Sequence, residues 1–358
     1  MNALGEKIAS LIAASGPIPI AQFMTIALQD PELGYYTTHD PFGAGGDFIT
    51  APEVSQMFGE LLGLWIVQAW RDQGEPSPCR LVELGPGRGT LMSDALRAAR
   101  PDRKFLASIE VVLIESSPVL REMQKTTLAE SAVPIRWMDH FEESLADRPL
   151  FLIANEFFDA LPIRQFVMTE RGWCERMVTV DASGDLAFAL SPIPTREMIP
   201  PDREGSPIGG VCEIGLAGQA IVSQIADAVG TNGGAALIID YGYDKPGFGE
   251  TLQAVSGHAF VEILARPGES DLSAHVDFPE LAAAAWPTAD TAGPVTQGEF
   301  LTRLGILQRM QSLASENPSA ADSLREDLAR LVDHKKMGSL FKVLSIVPFG
   351  APTPPGFS

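Results

Sequence analysis

Cysteine is scarce in this chain: three among 358 residues, Cys79, Cys174 and Cys212. They are odd in number and far apart, which excludes a disulfide framework and points to reduced thiols. The five histidines, at 39, 140, 258, 275 and 334, form no close pair. Zinc-ligand spacing is therefore missing, and no metal is expected. Long apolar runs are also absent, the longest being Leu61–Val67, interrupted by Gly63, against the roughly 20 residues a bilayer requires. No membrane insertion is expected. Positive charge is short as well: 26 Lys and Arg face 46 Asp and Glu, a formal charge of −20. Such a field repels phosphate backbones, so no nucleic-acid partner is expected, whereas a cationic protein or peptide would be attracted. The first residues, MNALGEKIASLIAASG, carry no basic flank, extended apolar block or small-residue cleavage site, and the expectation is a cytoplasmic chain.

What is present is globular composition, with 45% hydrophobic and 20% charged residues. At about 150 residues per domain, the length fits one large decorated domain or two modest ones. Apolar positions recur at three and four over 3–14 and 53–72, predicting an N-terminal helical segment over 1–76. From Arg80 the pattern becomes short apolar runs alternating with helical stretches: CRLVELGPG, TLMSDALRAA, IEVVLIESS, PVLREMQKTTLAE, PIRWMD and LFLIANEFFDALP. That alternation predicts an α/β domain over 77–348, with a parallel sheet covered on both faces. QFVMTE, CERMVTV and LAFAL break the rhythm as an antiparallel β insertion within 163–210, whose Pro/Gly-rich end, 191–210, reads as a linker. A helix near 215–229 then leads to the buried strand GAALIIDYGY. Leu281–Ala285 reads as helix, Gly293–Thr296 as a short strand and 298–335 as a C-terminal helical insertion. FKVLSIV closes the sheet, and 349–358 reads as a loose tail.

The strongest local signal is Val82-Glu-Leu-Gly-Pro-Gly-Arg-Gly-Thr90 between a strand and a helix. Gly85, Gly87 and Gly89 permit a sharp turn and close approach of a ligand to backbone, and the helix behind offers unpaired N–H groups. The bland alternative is a tight strand–helix turn. The spacing is G-x-G-x-G, not the G-x-G-x-x-G of a dinucleotide site, and Glu83 precedes it. That acid would face a pyrophosphate badly and suits a cationic cofactor such as S-adenosylmethionine. Glu115, ending the next apolar strand, is placed to accept ribose hydroxyls, and Asp139, ending the third, to receive an adenine amino group. The fourth strand ends in Asn155-Glu-Phe-Phe-Asp-Ala-Leu-Pro162, where polar and aromatic groups crowd at a carboxyl edge.

At this point the sequence resembles the Rossmann-like, seven-strand S-adenosylmethionine-dependent methyltransferases. More narrowly, GGDFITAPEVSQMFGE (45–60), ANEFFDALP (154–162), LIIDYGY (237–243) and DLSAHVDF (271–278) resemble the MidA family, along about 17–348. One departure is that Thr251-Leu-Gln253-Ala-Val255 stands where the family has T-x-R-x-(Tyr/Phe). The resemblance implies a protein arginine methyltransferase whose mitochondrial members assemble respiratory complex I. It further implies that the substrate is a guanidinium of the 49-kDa-type complex I subunit, symmetrically dimethylated. For that chemistry Glu156 and Asp159 are the first candidates to grip the guanidinium and take its proton, with Asn155 beside them. Glu53 and Glu60 are candidate lids or second carboxylates, and Asp47 a candidate loop closure. Two other readings stay open, an assembly chaperone on the same fold and a methyltransferase acting on a small molecule.

Overall fold

The computed structural model describes residues 1–38, 50–203 and 205–358. Seven strands make the path of the central sheet: β1 (Cys79–Leu84), β2 (Ile109–Ile114), β3 (Ile135–Met138), β4 (Leu150–Asn155), β5 (Gly234–Tyr243), β6 (Asp290–Thr296) and β7 (Phe341–Val347). Their spatial order is β3-β2-β1-β4-β5-β7-β6. From β3 to β5 neighbours run parallel, and only β7 is antiparallel to both its neighbours. A two-residue strand, Val276–Asp277, adds to the end of β5. The α/β expectation thus holds, down to the closing strand at 341–347.

The continuous apolar runs arise because both faces are covered. Leu81, Leu113, Ile153 and Leu237 pack under the helices Gln56–Asp72 and Thr90–Ala99 with part of the C-terminal helical region. Their odd-even partners Val82, Val112, Leu152 and Ile238 pack under Leu216–Asn232 and Phe278–Ala285. The first two helices approach so closely that a Cβ on Gly63 would lie 2.5 Å from the Cα of Ala95. Only glycine fits there, which explains the break in the longest apolar run.

The antiparallel insertion is present as Arg164–Thr169, Gly172–Val180 and Leu186–Leu190. It gains Val211–Ile214 on one side and Ile18–Pro19 on the other, neither anticipated. A second small antiparallel sheet, Gln253–Ser256 with Ala259–Val261 and Asp271–Ser273, was also not anticipated. The helices Ala3–Ser15 and Ile20–Gln29 close a separate apolar cluster against residues of both small sheets. The C-terminal residues are docked, not loose. The Trp65 indole donates to the Pro355 carbonyl at 3.0 Å, Arg303 donates to the Gly356 carbonyl at 3.1 Å, and Phe357 packs on Phe300. No helix of the described residues is long and apolar enough to cross a membrane.

Candidate active site

At the carboxyl end of β1 the chain turns through Gly85, Gly87 and Gly89, with φ of 60°, 52° and 81°. All three lie in the left-handed region that favours glycine. A Cβ on Gly85 would sit 2.9 Å from the Phe157 ring, so this turn and the end of β4 are in direct contact. Between them is a cavity whose lining includes Glu53, Glu83, Gly85, Gly87, Asn155 and Glu156. Six residues expected from sequence to serve one site therefore do meet.

Glu83 lies on the face of β1 shared with Leu81, beneath the helix layer, and is 3% exposed. Its Oε2 has no hydrogen-bond partner. Burial pushes its carboxyl up to about 8. A buried orphaned oxygen of this kind fits a cationic or hydrogen-bond-donating ligand group, because an unmet acceptor is costly. Glu53 sits on the short helix Ala51–Val54 and accepts a hydrogen bond from Thr90 at 2.6 Å.

Glu115 follows β2 and is buried. Its Oε1 accepts the Ser117 N–H at 2.8 Å, and its Oε2 accepts the Gln124 amide at 3.2 Å. Burial raises its proton affinity, against which these donors work. Gln124 was not singled out in the sequence, where it looks like a surface residue of the helix Pro118–Thr127. In the fold it is fully buried. Its Nε2 also donates to the Gly87 carbonyl at 2.7 Å and its Oε1 accepts the Trp137 indole at 2.8 Å. Asp139 stands at the end of β3, exposed and ion-paired with Arg121, whose Nε donates to the Glu115 carbonyl at 2.7 Å. The three acids thus occupy three successive strand ends.

Beyond β4, Glu156 adopts φ 51°, a left-handed conformation rare outside glycine. Its Oε1 accepts the Ala51 N–H at 3.0 Å and the Asn155 amide at 3.1 Å. Burial, with a further push from Asp159, raises its carboxyl to about 7. Asp159 accepts the Tyr241 hydroxyl at 2.6 Å, and burial raises it to about 6. The other carboxylate oxygen of Asp159 and the side-chain oxygen of Asn155 are buried without partners. Strain in this turn is sustained by a residue that sequence reasoning missed. Asp240, fully buried in β5, accepts the N–H groups of Phe157, Phe158 and Asp159 at 3.2, 2.9 and 3.2 Å through one oxygen. Its other oxygen accepts the Tyr241 N–H at 2.9 Å. The apolar run GAALIIDYGY flagged this strand, but no pattern marks an acid that binds backbone.

Glu60 is not brought to the cavity. It is 3% exposed and held by Arg309 through two bonds, at 2.7 and 3.0 Å, and by Arg97. Asp47 lies outside the described residues.

These features match known proteins. Residues 61–295 fit the family model described as "Putative S-adenosyl-L-methionine-dependent methyltransferase". The chain belongs to this methyltransferase family. S-adenosylmethionine is accordingly its cofactor, and the residues around the glycine turn fit that group through the orphaned Glu83 oxygen. The chain is 40% identical to the protein arginine methyltransferase NDUFAF7, mitochondrial, of Danio rerio, over 96% of this chain and 86% of that one. The Homo sapiens protein of the same name is 36% identical, over 94% and 81%. A crystal structure from Burkholderia thailandensis bound to S-adenosyl-homocysteine superposes with a TM-score of 0.85 at 28% identity, covering 99% of this chain and 94% of that one. The cytoplasmic expectation is corrected by these relatives, which are named as mitochondrial. Missing leader features in the first residues do not report a compartment.

Proposed function

We propose that this methyltransferase acts on arginine side chains of a protein. The observation that carries the reading is the Asn155–Asp159 turn. It holds two carboxyl groups with raised proton affinity, at about 7 and about 6; one Asp159 oxygen and the Asn155 oxygen are unpartnered, and Asn155 and Glu156 line the cavity. A guanidinium is a planar fork of N–H donors that stays protonated above pH 12, so it needs both an acceptor array and a proton acceptor.

Glu83 with Gly85, Gly87 and Gly89 would hold the amino-acid end of S-adenosylmethionine, Glu115 its ribose hydroxyls, and Asp139 the edge of its adenine. When bound, the cofactor supplies an electrophilic methyl group. Glu156 and Asp159 bind the guanidinium and orient one nitrogen, which is the main work required of an enzyme for an in-line displacement. Asn155 accepts a third N–H through its free oxygen. The proton leaving the nitrogen passes to Glu156 or Asp159, whose raised proton affinity suits them to receive it near neutrality. Glu53, in the cavity lining beside the glycine turn, closes it.

The finer assignment follows the sequence resemblance: the substrate is the 49-kDa-type subunit of complex I, and the product is symmetric dimethylarginine. The test is incubation of the purified protein with that subunit and methyl-labelled S-adenosylmethionine, followed by peptide mass spectrometry. Labelled symmetric dimethylarginine is expected, and its loss in Gly87→Val. An unlabelled subunit would remove the assignment and favour a holding role for the fold.

A further inference from the structure

A second cavity lies on the Phe158 side of the Phe157–Phe158 contact and opens to solvent. Phe158 forms part of its wall, packed edge-on against Phe157 at 5.4 Å. Ala274, also in the wall, donates its N–H to the Asp159 carbonyl at 2.9 Å. The ring of His275, likewise in the wall, packs against Tyr241 at 5.6 Å, and Tyr241 is the residue bonded to Asp159. This chamber therefore shares its partition with the reactive turn.

Its chemistry is two-sided. Phe158, Leu161 and Leu281 supply apolar walls. The polar side carries Glu213, Asp277 and Glu280 against a single cation, Arg203. Arg203 is 2% exposed and committed to Asp277 at 2.7 Å and to the Gly247 carbonyl. His275 adds little compensating charge, since burial lowers its proton affinity. An apolar slot ending in surplus negative charge matches a side chain with a hydrocarbon stem and a cationic tip, the form of lysine or arginine.

We infer that this chamber is a recognition subsite for a lysine or arginine flanking the target arginine in the substrate chain. The inference deepens the arginine-methylation reading and rests on it for the position of the target residue. Such a subsite sets which arginine is chosen, because the site residues themselves read only a guanidinium.

The test uses the full chain saturated with S-adenosylhomocysteine and fluorescent peptides bearing one arginine. Lysine is placed in turn at each position from three before to three after it, or replaced there by the neutral isostere norleucine. Binding anisotropy is expected to show a lysine preference of about tenfold at one or two positions only. Glu280→Gln, with its folding checked by cofactor calorimetry, is expected to erase most of it. Equal affinity for the lysine and norleucine peptides, or a preference spread evenly over all positions, would overturn the subsite, the latter reporting only the net charge of −20. A preference that survives Glu280→Gln overturns it too. Because the readout is binding, the arginine reading fails separately: a position-specific preference without any methyl transfer sustains the subsite and removes the reaction.

Discussion

The Gln124 side-chain amide joins the Glu115 carboxylate at 3.2 Å and the Gly87 carbonyl at 2.7 Å, so one buried nitrogen fixes both the glycine turn and the acid beside it. Neither could hold its place as well alone, since the turn is backbone and Glu115 is a buried acid whose Oε2 is met by Gln124. Gln124→Leu should therefore weaken cofactor binding about tenfold, the loss of roughly 1.4 kcal/mol expected when buried partners are left unpaired. Calorimetry with S-adenosylhomocysteine measures this, and an unchanged affinity would refute the linkage.

Glu83 gives a pH prediction with a defined sign. Its folded-state value of about 8 lies above the ordinary 4.5. Its contribution to stability is therefore full at pH below about 4.5 and is lost as pH rises through about 8. Glu83→Gln should raise the melting temperature more at pH 8.5 than at pH 5. The ionised acid is also the form that attracts a cationic ligand, so S-adenosylmethionine affinity should climb from pH 6.5 to 8 in the natural chain and stay flat in the variant.

Glu156 and Asp159 sit in one turn, and burial raises their carboxyls to about 7 and about 6. As proton acceptors they work ionised, so turnover should rise with pH from about 5.5 and level off near 8. Asp159→Asn should lower kcat about a hundredfold with cofactor affinity changed by less than threefold. A variant that keeps its turnover would show that Asp159 is a prop for Tyr241 and not a proton acceptor.

Glu60 should behave oppositely. Glu60→Ala strands Arg309 and leaves Arg97 with Asp94 alone, about a third of each arginine's side-chain surface being open to water. The expected loss is therefore only about 2 kcal/mol in urea titration, below the range for fully buried pairs. Cofactor affinity should be unaltered, and a large fall in it would return Glu60 to the site.

The central sheet was readable because strands buried on both faces are written as unbroken apolar runs, such as LFLIAN and GAALIID. Their ends were readable because acids and glycines there have no place in a core. VCEI and QAVS are too short and too mixed to signal strands, and their pairing partners lie far away in sequence. The docking of residues 354–357 was hidden by Pro and Gly content, which describes the local backbone and not what Trp65, Phe300 and Arg303 do with it. Asp240 was missed because it bonds to main-chain groups, which every sequence possesses equally, and Gln124 because its partners Gly87, Glu115 and Trp137 lie on three other elements.

Asp240 ties the Phe157–Asp159 turn to sheet registry. It reaches the Phe157–Asp159 amides only because Ile239 is matched with Asn155 on one side while Asp240 itself is matched with Lys342 on the other. Slipping β5 by a single residue would flip its carboxylate to the far face. Copies trapped in that arrangement would retain normal circular dichroism yet release the turn that carries Glu156.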